Sequence, residues 1–215
     1  MPFDAVMLDL YDTIVWSEWF RLRDLIAERI GLDTHLLAKA FDSTRPLRGV
    51  GTFPDALGDM AAVIEAAGLD PEPSLVRELV QLETGELTRG IHLYEDVLPV
   101  LAALRAGGSR TALVSNCSHS TRPVVERLAL HEAFDAVILS FEARAMKPDP
   151  AIYRAALDAL GVSDPSRVVF VDDQPRYCDG AAALGIQTRL ILRPDEDVPV
   201  DTHGHPVVTD LGWLR

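Results

Sequence analysis

The chain has 215 residues, and 33 acids against 20 bases give a net charge of −13; with no basic stripe to neutralise phosphates, general nucleic-acid binding is not expected. A composition of 48% hydrophobic and 25% charged residues fits one sizeable globular core, or a core carrying a smaller insert. Two cysteines, Cys117 and Cys178, are too few for a disulfide framework, and no segment reads as a membrane span or secretory leader, so a cytoplasmic setting is expected.

The first element is the apolar run from Ala5 to Leu10, which carries Asp9 near its end and is followed by Asp12. It reads as a buried strand of a parallel sheet, covered on both faces. A carboxylate there is costly unless it binds a metal, carries chemistry or finds strong partners. Phe20, Leu22, Leu25, Ile26 and Ile30 then recur at helical spacing over 17–30, and Gly31 stops them. Trp16 and Trp19, beside Phe20, read as core packing. A second helix is predicted over 34–42, a loop over the Gly/Pro/Arg stretch 43–54, and helices over 55–67 and 73–88. No strand is predicted between Ile14 and Arg110. A stretch this long exceeds a single crossover and reads as a separate helical insert. The division expected is an α/β core domain of 1–14 and 96–215, with a helical domain of 15–95.

From residue 96 the alternation is regular. Asp96 is placed to cap a helix ending at Gly107-Gly108. Then follow strand 110–115, helix 119–129, strand 136–141, helix 150–160 opened by Asp149-Pro150, strand 167–171, helix 176–184 and strand 188–192. Strands alternating with helices imply a doubly wound parallel sheet. The tail after Arg193 reads as surface coil with a short edge strand at 206–209.

Four predicted strands end in polar residues: Asp9 and Asp12, Ser115-Asn116, Lys147 a little beyond 136–141, and Asp172-Asp173. Ligands of open α/β sheets bind at the carboxyl ends of strands, so the four sets share one crevice. Carboxylates gathered there form a hard oxygen site of the kind Mg2+ uses with waters and a substrate phosphate. Asp9 could serve as a nucleophile, Lys147 could neutralise the transferring group, and Ser115 could hydrogen-bond an equatorial oxygen.

These residues, in this order, resemble the haloacid dehalogenase (HAD) superfamily of hydrolases. Its four motifs appear as Asp9-Leu10-Tyr11-Asp12-Thr13, Ser115-Asn116, Lys147-Pro148 and Asp172-Asp173. The resemblance implies a Rossmann-like core, with 15–95 as a helical cap domain over the active site. It implies Asp9 as nucleophile, Thr13 and Ser115 positioning the substrate, and Lys147 anchoring the anionic intermediate. It also implies Mg2+ held by the side chains of Asp9 and Asp173, the backbone carbonyl of Tyr11, and Asp172 directly or through water. The partner would be a small-molecule phosphate ester, with neither nucleic acid nor membrane involved.

The chain departs from the phosphatase pattern at Tyr11, where a second Asp normally serves as general acid and base. Asp12 is no obvious substitute, because along an extended strand it points away from Asp9; only a local turn would bring it round. Asp-Leu-Tyr is similar to the 2-haloacid dehalogenases, whose leaving halide needs no proton. Asp172-Asp173 argues the other way, since those enzymes carry serine and asparagine there and use no metal. A carboxylate pair beside Asp9 without a cation would be strongly repulsive. The expectation is therefore a Mg2+-dependent phosphatase favouring sugar 1-phosphates, acyl phosphates or aryl phosphates. A dehalogenase-like hydrolase and a non-catalytic binding protein are the alternatives, the second kept open by Tyr11 and Tyr177. Arg45 and Arg48, in the predicted loop, and Arg176 are candidates to reach an anionic substrate. Cys117 with His119 as a thiol nucleophile, and His203 with His205 as metal ligands, are weaker readings.

Overall fold

The structure, a computed structural model, describes residues 3–193 and 201–215; the side chains of Trp19 and Phe20 and the stretch 194–200 of the predicted tail lie outside the described residues. A six-stranded sheet is built from β1 (Ala5–Leu8), β4 (Arg110–Ser115), β5 (Ala136–Leu139), β6 (Val168–Asp172), β7 (Gln187–Ile191) and β8 (Val207–Val208). Every pairing in it is parallel, in the order β5-β4-β1-β6-β7-β8. The chain runs outward from β1 through β4 to β5, then returns to start again at β6 beside β1. That reversal opens a crevice at the carboxyl ends of β1 and β6, where open α/β sheets bind ligands.

Burial on both faces explains why these strands are apolar throughout. Ala5 and Met7 of β1 pack against α9 (Pro150–Leu160) and α10 (Pro175–Ala182), while Val6 and Leu8 face α5 (Val97–Ala106) and α6 (Arg122–Arg127). Asp149 caps α9 through Ala151 N, as its sequence predicts. Asp96 stands before α5 but makes no side-chain cap. Its Oδ2 instead accepts from Leu211 N at 2.7 Å and from Arg193 at 2.8 Å. The end of the tail is accordingly not surface coil, since Leu211 and Leu214 are buried in the core.

Between β1 and β4 stand α1 (Trp19–Ile30), α2 (Thr34–Gly49), α3 (Ala56–Ala66) and α4 (Pro73–Gly90). Two three-residue strands that the sequence reading missed bracket them, β2 (Val15–Ser17) and β3 (Ile91–Leu93), paired antiparallel. Only Val15 and Ile91 of this ribbon are buried, and exposed Trp16 stacks on His92 with centroids 4.5 Å apart. So short an alternation leaves no periodic signal. The helix predicted over 34–42 continues through the expected loop to Gly49, with Pro46 inside it. Proline removes one helical donor. Nearby, Thr44 Oγ1 donates to Ala40 O at 2.8 Å and Arg48 Nη2 to Phe41 O at 2.9 Å, so side chains supplement the backbone ladder. The helix predicted over 119–129 is a 3-10 turn followed by α6, then α7 (Leu130–Ala133) after a left-handed Ala129. The strand predicted to reach Phe141 stops at Leu139 and becomes α8 (Ser140–Ala143). Among the described residues no helix is long and apolar enough to cross a membrane.

Candidate active site

Asp9 follows β1 immediately, and Asp172 ends β6 beside it. Lys147 Nζ, almost wholly buried, lies 2.5 Å from Asp9 Oδ1 and 2.7 Å from Asp172 Oδ2. Asp173 completes the group, with carboxylate oxygens of Asp9, Asp172 and Asp173 all within 4.8 Å of one another. Two buried carboxylates thus share the one ammonium, and the half-buried third, Asp173, is held by Gln174 Nε2 instead. Burial raises the carboxyl pKa of Asp172, Lys147 pulls it back, and Asp9 pushes it up further; it stays above the ordinary range. Asp173 is raised by burial, then by the charges of Asp9 and Asp172. Burial pulls the Lys147 ammonium down, but its two carboxylates outweigh this and raise it. The donor set is all hard oxygen and short of positive charge, which is what a small divalent cation relieves.

Around this centre the loops are held by side chains. Asn116 acts on backbone: its Nδ2 donates to Lys147 O at 2.9 Å and its Oδ1 accepts from Lys147 N at 2.7 Å. Ser140 Oγ accepts from Cys117 N and donates to Cys117 O, at 2.9 and 3.0 Å, tying β5's end to the 115–118 loop. Arg193 donates through Nε and Nη2 to Thr13 O at 2.9 and 2.6 Å. Ser140 and Arg193 were absent from the sequence reading, because contacts that long in sequence leave no local pattern. Thr13 Oγ1 and Ser115 Oγ are buried beside the centre and take no protein hydrogen bond among the described residues.

The turn after Asp9 settles where the next residues lie. Asp12 adopts a left-handed conformation, φ 58°, and its N–H donates to Val15 O at 2.7 Å. This turn brings Asp12 back into the cleft of about 230 Å³ that Asp9, Lys147 and Asp173 line. Burial and the Asp9 charge raise its carboxyl pKa. Tyr11 shares a hydrogen bond with Thr121 Oγ1 at 3.0 Å, and burial pushes its phenol far up, so it is a poor proton donor. Arg45 lines the cleft. Arg48 lines the adjoining cavity and not this cleft, with Nε on Thr44 Oγ1 at 3.0 Å. Arg176 lines the cleft but lies against Tyr177, donating to its hydroxyl at 2.8 Å.

The weaker readings find other roles. Burial pushes the Cys117 thiol up to about 12, which disables it as a nucleophile. His119 Nδ1 lies 2.8 Å from Asp59 on α3. His203 and His205 both turn to Asp179 on α10, at 2.6 and 3.0 Å, away from the crevice.

The sequence pattern of the haloacid dehalogenase-like hydrolases matches residues 3–185. A phosphatase of Mycobacterium tuberculosis is 29% identical over 200 residues, covering 90% of this chain and 89% of its own. An (S)-2-haloacid dehalogenase of a Pseudomonas species is 39% identical, over 46% of this chain and 44% of its own. Among solved structures, a HAD family enzyme of Bacteroides thetaiotaomicron in complex with magnesium superposes with a TM-score of 0.70 at 20% identity, covering 88% of this chain and 93% of its own.

Proposed function

The chain belongs to the haloacid dehalogenase-like hydrolases, and on that footing we propose that it is a Mg2+-dependent phosphatase of small phosphorylated metabolites, working through an aspartyl-phosphate on Asp9. The observation that carries this reading is the pair Asp172 and Asp173 within 4.8 Å of Asp9. A halide-displacing site gains nothing from two further carboxylates beside its nucleophile, whereas a cation site needs them. The residues that would hold Mg2+ are Asp9, Asp173, Asp172 and the Tyr11 carbonyl, and the ion would neutralise charge on the phosphoryl oxygens.

Asp9 attacks phosphorus, the bond to the leaving oxygen breaks, and a water then cleaves the acyl phosphate and restores the carboxylate. Lys147 holds its positive charge against Asp9 through both steps, and Asn116 fixes it by both of its backbone groups. The unpartnered hydroxyls of Thr13 and Ser115 are available to the equatorial oxygens. Asp12, turned into the cleft, takes the acid–base role that Tyr11 cannot fill. Residues 15–95 serve as the cap over this centre, with Arg45 facing the transferring group.

A second reading is favoured by Tyr11 and by the dehalogenase relative: displacement of halide from a 2-haloacid at Asp9. The test is release of phosphate from a panel of esters, with Mg2+ and with chelator, beside Asp9→Asn. Release requiring both Mg2+ and Asp9 supports the phosphatase. Halide release from 2-haloacids with no phosphate release would replace it. A melting shift with ligand and no turnover of either kind would make the chain a binding protein.

A further inference from the structure

Beside the nucleophile's cleft lies a second cavity of about 400 Å³, and the two are continuous through Tyr11, Asp12, Arg45 and Asn116, which line both. Its walls come from α2 and α4 and its floor from the 116–121 loop. A leaving group departing from a phosphoryl centre on Asp9 has this space to enter. A two- or three-carbon acid would fill little of it, since pockets of some 300 to 1,000 Å³ suit much larger ligands.

The lining charges decide what fits. Arg23, Arg45 and Arg48 line it together with Asp12, Asp42 and Glu83, so neither sign dominates. Arg45 also lines the cleft of Asp9, where a phosphoryl group engages it. Arg48 has Nε on Thr44 and Nη2 on the Phe41 carbonyl. Glu83 differs from the other acids. Its residue is 6% exposed, it lines the cavity, and among the described residues no basic group stands within ion-pair distance of it. Burial raises its carboxyl to about 7, against the pull of Arg48 and of a hydrogen bond from Ser120, with a further push from Asp59. A buried carboxylate that faces a cavity without an ion pair accepts hydroxyl donors well and repels a second anion. The hydroxyls of Ser17, Ser118 and Thr121 also line the space and suit the same partner.

Resting on the phosphatase reading above, we propose that this chamber selects a neutral, polyhydroxylated leaving group, a sugar rather than a hydroxy acid, with Glu83 accepting its hydroxyls and turning away a second anionic group. The ester's P–O bond breaks as before, and the sugar leaves as a free alcohol.

The test compares kcat/KM at pH 8 with Mg2+ for ribose 5-phosphate and 2-phosphoglycolate, in the parent enzyme, Glu83→Gln and Asp42→Asn. Glu83→Gln keeps the side chain's shape, and Asp42 is exposed, so both variants are expected to fold, which their melting curves verify. The parent should prefer ribose 5-phosphate by about tenfold or more, and Glu83→Gln should shrink that ratio by about tenfold, partly by improving turnover of phosphoglycolate. A general loss of packing would lower both substrates together. A parent enzyme that prefers phosphoglycolate, or a ratio unmoved by Glu83→Gln, overturns the inference. Should no ester turn over, the phosphatase reading falls, and selection is read instead from melting shifts with D-ribose and with glycolate. Glycolate equal to or above D-ribose there overturns the chamber inference too.

Discussion

At Asp12 one backbone angle carries the proposed acid–base role. Period-two alternation sets residue 12 opposite Asp9, and the left-handed φ of 58° cancels that alternation. Replacing Asp12 with Asn should therefore slow alkyl phosphate esters by about a hundredfold while p-nitrophenyl phosphate, whose leaving group needs little proton, loses far less. A plot of log kcat/KM against leaving-group pKa checks this, and an unchanged slope would contradict it. The carboxyls beside Asp12 carry a pH prediction. Asp172 and Asp173 stand above the 3.8 of a free aspartate, because burial and like charge disfavour ionisation. The folded chain then holds those protons more tightly than the unfolded one. Their stabilisation is present at acid pH and is lost as pH rises through neutral. Mg2+ held as proposed would oppose that loss, so the melting-temperature gain on adding Mg2+ should be larger at pH 8 than at pH 5.5. An equal gain at both would remove the cation from this cluster. The acids were legible in the sequence because they stand at or just after the ends of β1 and β6, and Lys147 because it follows β5 in the chain before a proline. Asn116's grip on the Lys147 backbone and Arg193's on Thr13 were not, since one spans 31 residues and the other 180.

Among the elements, α2 was the hardest to read, and it bears most on the site. Pro46 and two glycines argue for a loop by local propensity, yet tertiary contacts carry the helix to Gly49 and set Arg45 and Arg48 on it. The same contacts explain the glycines. A Cβ at Gly49 would sit 2.4 Å from Met146 Sδ, and one at Gly51 would sit 2.2 Å from the Phe141 carbonyl oxygen. The end of α2 therefore lies directly on the segment that leads to Lys147. Gly31 and Gly51 share a left-handed φ, 65° and 63°, but nothing lies within 4 Å of a Cβ at Gly31. Gly31→Ala should cost about 1 kcal/mol, from backbone strain alone. Gly51→Ala should cost about 2–4 kcal/mol, because the contact with Phe141 adds to the strain. Urea unfolding of the two variants measures the difference, and equal costs would mean that α2 does not rest on the 141–146 segment. By contrast, β4 and α9 were read to the residue and β6, β7 and α10 to within one or two, because burial on both faces or on one stripe leaves a strong period; the broken helix at 119–133 left none.

Over the whole molecule, one apolar cluster runs from Val6 and Leu8 of the sheet through Leu22, Leu37, Met60 and Leu79 of the helical insert. Polar groups lie between insert and sheet, at the edge of this cluster. Asp59 with His119, and Glu83 near Arg48, are buried there, at the junction of α3, α4 and the 116–121 loop. Nothing in the sequence marked Glu83, which sits at an apolar position of the α4 pattern. A carboxylate in that place is a local defect in packing, and such defects concentrate where function needs them. Its cost can be measured. A carboxyl raised from 4.5 to about 7 stabilises the folded chain below the unfolded value, and that stabilisation, roughly 3 kcal/mol, is lost as pH rises through 7. Glu83→Gln removes the titration while keeping the volume, so it should raise stability at pH 8 by an amount of that order and change it least near pH 5. Guanidinium unfolding at the two pH values separates this from a change in packing, which would alter stability alike at both. A variant more stable than its parent at pH 8, yet less able to tell a sugar ester from a phosphorylated hydroxy acid, is the outcome expected if Glu83 is retained for selection. Stability lost equally at both pH values would make Glu83 a structural residue of the insert instead.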